Sequence, residues 1–234
     1  MKPVSPKKKY FVLGFIFITF PLFIYFLSTW EHKHFEVEMF HPREVVSVVN
    51  GETFIDTVYH TIPEFSFIDQ DGLPYSSDSL KGKIYVADFF FTTCPSICPI
   101  MTAQMNQLYW KLDKSAYQDV HYISYTVNPE YDTPKVLKAY AEKNGVNTKR
   151  WRFVTGEKRE IYELGVNGYY LNAQEDALAP GGFLHSNLFV LVDKEGHVRG
   201  YYDGTSSEEI RDLAGDIAML IASYRRKAKE SERN

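Results

Sequence analysis

The chain has 234 residues, enough for one domain with a full core plus additional segments. Hydrophobic side chains make up 44% and charged ones 24%, ordinary globular proportions that exclude a wholly disordered chain. The net charge is −4, but Lys2, Lys7, Lys8 and Lys9 are the only charges in the first thirty residues, so the remainder carries 22 basic against 30 acidic side chains and is a poor nucleic-acid binder.

Tyr10 to Trp30 contains no charged side chain. At about 1.5 Å per helical residue its length matches a hydrocarbon core of roughly 30 Å. Tyr10 and Trp30 bracket the run where amphipathic rings prefer the interface, and Pro21 is tolerable inside a membrane helix. The run is longer than the apolar region of a signal peptide, and no small-residue cleavage site or lipid-acceptor cysteine follows it. Residues 1–30 are therefore expected to form a single uncleaved transmembrane anchor. Lys7–Lys9 before the run, against Glu31, Glu36 and Glu38 after it, set the N-terminus inside and the domain outside the cytoplasm. The leader lacks the Arg- and Ser-rich character of a mitochondrial transit peptide, which favours a bacterial inner membrane and its periplasmic face.

Residues 31–48 are polar and His-rich without a clear period, and read as a spacer. His32, His34, Met39 and His41 are soft-metal donor types, but no pattern fixes their geometry. A domain is expected over 49–228 and a polar tail over 229–234. Ile84 to Phe91 is a near-continuous apolar run, as in a strand buried on both faces, and Val120 to Val127 is a second. Thr133 and Pro134 open a helix with Val136, Leu137, Tyr140 and Ala141 on its apolar face, and Gly145 ends it. Leu188–Val192 and His197–Tyr202 flank Asp193-Lys-Glu-Gly196, a hairpin signal. Ser206 and Glu209 form a capping box before a final helix whose inner side carries Ile210, Leu213, Ile217, Leu220, Ile221 and Tyr224. Strands alternating with helices and then a hairpin predict an α/β domain with a central mixed sheet flanked by helices.

The chain has two cysteines, both in Phe91-Thr-Thr-Cys94-Pro-Ser-Ile-Cys98-Pro-Ile-Met101. So short a loop makes a poor stability disulfide, because it constrains the unfolded chain little. Proline suits the first helical position, so a helix is expected from Pro99 with Cys98 as its cap and Cys94 in the preceding turn. Both sulfurs then sit at the positive end of a helix dipole, which favours thiolate, at once a nucleophile and a soft ligand. The motif alone does not choose between redox exchange and metal binding. Met101 and Met105 read as core residues rather than ligands.

Four segments in this order resemble the Sco/SenC family: Phe65 to Gly72, Leu80 through Cys94 and Cys98 to Pro99, Val127 to Pro134, and Leu184-His185-Ser186 before Val192-Asp193. The likeness runs from about Thr61 to Leu220. It implies a membrane-tethered thioredoxin-like protein that binds copper, as Cu(I) or Cu(II), and helps assemble the dinuclear copper site of cytochrome c oxidase. It further implies Cys94 and Cys98 as thiolate ligands, His185 as the imidazole ligand, and the copper-bearing oxidase subunit as partner. It points to Asp132 as a residue beside the site, a position that helix capping next to Thr133 would also explain. Asn128 stands where the family often has Asp. Two thiolates and an imidazole suit copper, whereas structural zinc normally takes four ligands.

A second role would use the same thiols: a thiol-disulfide oxidoreductase, with Cys94 and Cys98 as its redox pair, that reduces the cysteines of the oxidase copper site. Thioredoxin-like oxidoreductases carry a proline just before the equivalent strand, and Gly181 to Leu188 has none. That absence, His185 and the CxxxC spacing favour the copper carrier.

Overall fold

The computed structural model describes residues 19–22, 37–49, 52–171 and 186–233. The chain divides into two units, Met1–Phe35 and Glu36–Asn234. The expected anchor lies outside the described residues except for helical Thr19–Leu22, and no helix among the described residues is long and apolar enough to cross a membrane. His185, His32 and His34 also lie outside them.

The second unit is built on a seven-stranded mixed sheet of order β4-β3-β7-β6-β5-β8-β9. Its strands are β3 (Ser66–Asp69), β4 (Pro74–Ser76), β5 (Ile84–Phe90), β6 (Val120–Thr126), β7 (Trp151–Thr155), β8 (Leu188–Val192) and β9 (Val198–Asp203). The central strands β5, β6 and β7 run parallel, with Phe90 opposite Thr126 and Tyr122 opposite Trp151, while β8 returns antiparallel beside β5. Every residue of β5 is buried, as its unbroken apolar run requires of a strand covered on both faces. Alternation along it sends Phe89 to Tyr125 and Tyr169, and Phe90 to Tyr140 and Phe153 on the opposite face.

Four helices cover this sheet: α1 (Ile97–Lys111), α2 (Pro134–Lys143), α3 (Lys158–Glu163), which continues into a π turn over Leu164–Gly168, and α4 (Ser207–Ser231). The α/β expectation with a mixed sheet therefore holds, and so do the two central strands and the late hairpin. In that hairpin Gly196 takes φ +85°, a left-handed position open to glycine without strain. Gly145 does the same after α2, at φ +63°.

Four expectations differ from the structure. The stretch read as a spacer over 31–48 contains strand β1 (Pro42–Val49), which pairs antiparallel with β2 (Glu52–Tyr59) in a separate two-stranded sheet. The unit accordingly starts at Glu36 rather than near residue 49. Helix α1 opens at Ile97, not Pro99, because proline is accepted anywhere in a first turn whose N–H groups have no helical partner. Cys98 therefore lies inside the first turn. The final helix extends through Ser231, into the segment expected as a polar tail. The Ser206 cap does form, its hydroxyl accepting from Glu209 N–H at 3.4 Å, but the Glu209 carboxylate accepts from Asp203 N–H instead of completing the box.

Candidate metal site

Cys94 and Cys98 sit where β5 ends and α1 begins. Both are free thiols and both are buried, 7% and 3% exposed. The N-cap position belongs to Ser96, whose side chain makes no capping bond. Instead Cys98 N–H points to Cys94 Sγ at 3.5 Å, so a sulfur meets an N–H that a capping oxygen usually takes. Burial pushes the Cys94 thiol up, but backbone N–H groups of Cys98, Ser96 and Ile97 and the Cys98 thiol outweigh it and hold Cys94 below the ordinary thiol range. Cys98 goes the other way: burial raises it far above that range, and the neighbouring Cys94 thiol and buried Asp88 raise it further. The pair is thus asymmetric, with Cys94 shifted toward the thiolate and Cys98 shifted away from it.

The loop carrying these sulfurs is tied to the sheet by Asp132. This carboxylate is completely buried, accepts Thr92 N–H at 3.1 Å, and accepts the hydroxyls of Thr92 and Thr126. Thr126 ends β6, and Thr92 is two residues before Cys94. Asp132 is therefore not the cap of α2; Thr133 holds that position without a side-chain bond. Replacing Asp132 with Ala leaves three donors without their acceptor, and we expect a loss of about 3 kcal/mol in urea unfolding. Asp132→Asn should recover most of it, since an amide can accept Thr92 N–H and donate to the Thr92 hydroxyl.

Beneath the cysteines, on the α1 face of β5, lies a residue that reading the sequence did not single out. Asp88 is buried within the apolar run and accepts Ser124 Oγ–H at 2.5 Å, while Ser124 Oγ accepts Trp151 Nε1–H at 2.8 Å. Burial, against that one hydrogen bond, pushes the Asp88 carboxyl up to about 7. The signal was present in the sequence: a lone carboxylate in a strand otherwise apolar is a buried titratable group.

The donor chemistry fits a soft cation. Two converging sulfurs at a positive helix end suit Cu(I). Among the described residues no group of three or more His, Cys, Asp or Glu side chains could hold an ion. His185, the expected third ligand, directly precedes Ser186, which is buried two residues before β8 begins at Leu188. Because β8 runs antiparallel to β5, its start lies at the sheet end where β5 delivers the cysteines.

A family model described as SCO1/SenC matches residues 56–222. The SCO1 protein homolog of Bacillus subtilis strain 168 is 36% identical over 171 residues, 71% of this chain and 86% of that relative. The solved structure of BsSco, described as a member of the Sco family of cytochrome c oxidase assembly proteins with an identified disulfide switch, matches with TM-score 0.61 and 35% identity, covering 70% of this chain and 95% of that one. Copper-bound ScoI of Bradyrhizobium japonicum shares the fold, with TM-score 0.56 and 24% identity over 68% of this chain and 99% of that one. The fold of this chain is thioredoxin-like, as the Sco/SenC resemblance implies.

Proposed function

The chain belongs to the SCO1/SenC family, and from that premise we propose that it is a copper carrier that helps assemble the dinuclear copper site of cytochrome c oxidase. Cys94, Cys98 and His185 hold the ion, and the copper-bearing oxidase subunit receives it. The apolar run from Tyr10 to Trp30 anchors the chain in the inner membrane of a bacterium, with the domain on the periplasmic side. The observation that carries this reading is the pair of free, buried sulfurs at one helix N-terminus, one of them stabilised as thiolate. Two thiolates and an imidazole leave copper short of a full shell, so a ligand from the acceptor can enter before the first donors leave.

His185 is the ligand to test, since it stands outside the described residues. Structural metal sites with four ligands reach roughly 10 to 16 kcal/mol, or about 3 kcal/mol per ligand. His185→Ala is therefore expected to weaken Cu(I) binding about a hundredfold while the urea transition of the apo chain stays in place. Chelator competition under anaerobic conditions measures the first and circular dichroism the second. An unchanged affinity would remove His185 from the ligand set.

The asymmetry of the thiols supports a second use of the same residues. Cys94, low and stabilised as thiolate, has the character of an attacking thiol, and Cys98 that of a resolving one. A chain acting as a thiol-disulfide oxidoreductase would reduce a disulfide of its partner and finish oxidised. Release of thiols from an oxidised copper-site peptide, matched one for one by loss of the Cys94 and Cys98 thiols, would identify that activity.

A further inference from the structure

Helix α4 changes charge along its length. Its first three turns carry Glu208, Glu209, Asp212 and Asp216 against Arg211, whereas Arg225, Arg226, Lys227, Lys229 and Arg233 crowd its end against Glu230 and Glu232. Its buried residues stop at Leu220, and beyond Arg226 the side chains to Arg233 are all exposed. The helix thus runs past its last core contact as a basic extension. Favourable interaction with the helix dipole accounts for cations in the last turn, and further back Arg225 donates to the Ala116 carbonyl at 3.0 Å.

The position of this extension matters more than its charge. Ser207 at the start of α4 accepts from Gln104 of α1 at 2.8 Å, near the cysteines, and α4 then runs about 37 Å at 1.5 Å per residue. At its far end the Tyr224 hydroxyl donates to Glu195, and Lys194 lies 5.3 Å from the Tyr224 ring centroid. Those residues form the β8–β9 turn, at the sheet end opposite the cysteines. The same turn receives the incoming chain: Arg199 donates to the carbonyls of Val37 and Glu38 and pairs with buried Asp193 at 2.9 Å. The unit therefore begins at the pole where the basic helix ends.

Only five residues separate Trp30 from Glu36, so the chain can span roughly 20 Å between the end of the apolar run and that pole. Two acidic groups at this pole are engaged, Asp113 with Arg150 at 2.7 Å and Glu195 with Tyr224, while Asp119, Glu230 and Glu232 are exposed and leave the end of α4 with a net excess of three basic side chains. Beside the helix, a groove of about 490 Å³ is lined by apolar Tyr117, Ile221 and Ala222 and by Arg225, Arg226, Lys229 and Arg233 against one acidic residue, Glu230. Basic side chains around an apolar strip match an anionic bilayer surface, which offers phosphate and, just beneath, hydrocarbon.

We propose that the basic end of α4 docks on anionic phospholipid headgroups and holds the domain with its cysteine end turned away from the membrane. The proposal rests on the anchor reading above for its geometry. Its effect is to present the sulfurs to a partner instead of leaving the domain free to tumble on a short tether.

The test uses the full chain in lipid nanodiscs, either of phosphatidylcholine alone or containing phosphatidylglycerol. Each basic side chain near an anionic surface contributes about a fivefold stabilisation, so the net excess of three gives on the order of a hundredfold slower amide exchange over residues 223–233. The slowing should appear only with phosphatidylglycerol. It should fade when salt rises from about 0.1 M to about 1 M, as the screening length falls from about 10 to about 3 Å. The triple variant Lys227→Gln, Lys229→Gln, Arg233→Gln should lose the lipid dependence while keeping copper binding and the urea transition. Equal exchange in the two lipids, or a lipid dependence that survives in the triple variant, would overturn the proposal. Anchoring is read separately, from retention in the discs at high salt. A chain washed off there, but still protected by anionic lipid at low salt, would lose its anchor and keep its docking site.

Discussion

Oxidising Cys94 and Cys98 to a disulfide is expected to weaken Cu(I) binding by about four powers of ten, since at about 3 kcal/mol per ligand two lost thiolates cost about 6 kcal/mol. A disulfide has no thiolate left to donate, so metal and disulfide exclude one another at this site. The geometry makes the exchange between them local. Cys98 N–H already faces Cys94 Sγ, both sulfurs are free, and Asp132 fixes the loop from outside the pair. Reduction should restore full affinity. Copper should in turn shield both thiols from alkylation and raise stability by mass action, about 2.7 kcal/mol at free copper a hundredfold above its dissociation constant. The measurement is competition with a non-reducing Cu(I) chelator on fully oxidised chain, after confirming that no free thiol remains. Equal affinity in both redox states would place the metal elsewhere, and the histidines from His32 to His41 would be examined first.

This exclusion bears on the two proposed uses of the thiols. If the chain reduces a partner's disulfide, it ends in the state that cannot carry copper. If it carries copper, the metal occupies the sulfurs that reduction would need. One site can serve both only in sequence, with rereduction between them.

The parts of this fold that were legible in the sequence are those whose local signals agree with their surroundings. The run from Ile84 to Phe91 is apolar because β5 is covered on both faces, and Ser206 with Glu209 marks a helix start because the N–H groups there need acceptors. The β1–β2 hairpin interrupts the expected spacer, and its sequence carries a strong turn signal. Asn50-Gly51 falls between Val49 and Glu52, which pair across a two-residue connection, and Asn-Gly is the favoured sequence there. Five-residue β7 is not legible in the sequence, because so short a strand shows little period. The start of α1 lies two residues ahead of the position its proline marks, because Pro99 stands third in the helix and not first. At the site, both sulfurs were legible from spacing. The anchoring role of Asp132 was not, since its partners Thr92 and Thr126 are 40 and 6 residues away and only the fold joins them.

Asp88→Asn is expected to change how stability depends on pH more than any other single substitution considered. The Asp88 carboxyl stands at about 7 in the folded chain against 3.8 ordinarily. Between those values the folded state keeps a proton that the unfolded state has lost, so this residue makes the fold less stable as pH rises. The slope is about 1.4 kcal/mol per pH unit, and the total about 4 kcal/mol by pH 8. His121 has the opposite influence. Burial, with Lys83 and Arg150 nearby, lowers it to about 4 from 6.5, so the unfolded state binds the extra proton and stability rises across that range. The two slopes offset one another, and the native chain should show a shallow profile from about pH 4 to 6.5. In Asp88→Asn only the His121 slope remains. The variant should be less stable than the native chain near pH 4, where its amide leaves one donor unpaired at about 1 to 2 kcal/mol. It should be the more stable of the two at pH 8. Urea unfolding of reduced apo chain at several pH values measures the difference, which should grow by about 1.4 kcal/mol per unit between pH 4 and 7. A constant difference would mean that Asp88 is already ionised at pH 4, with water or an unrecognised partner reaching a carboxylate the fold otherwise seals beneath Cys98.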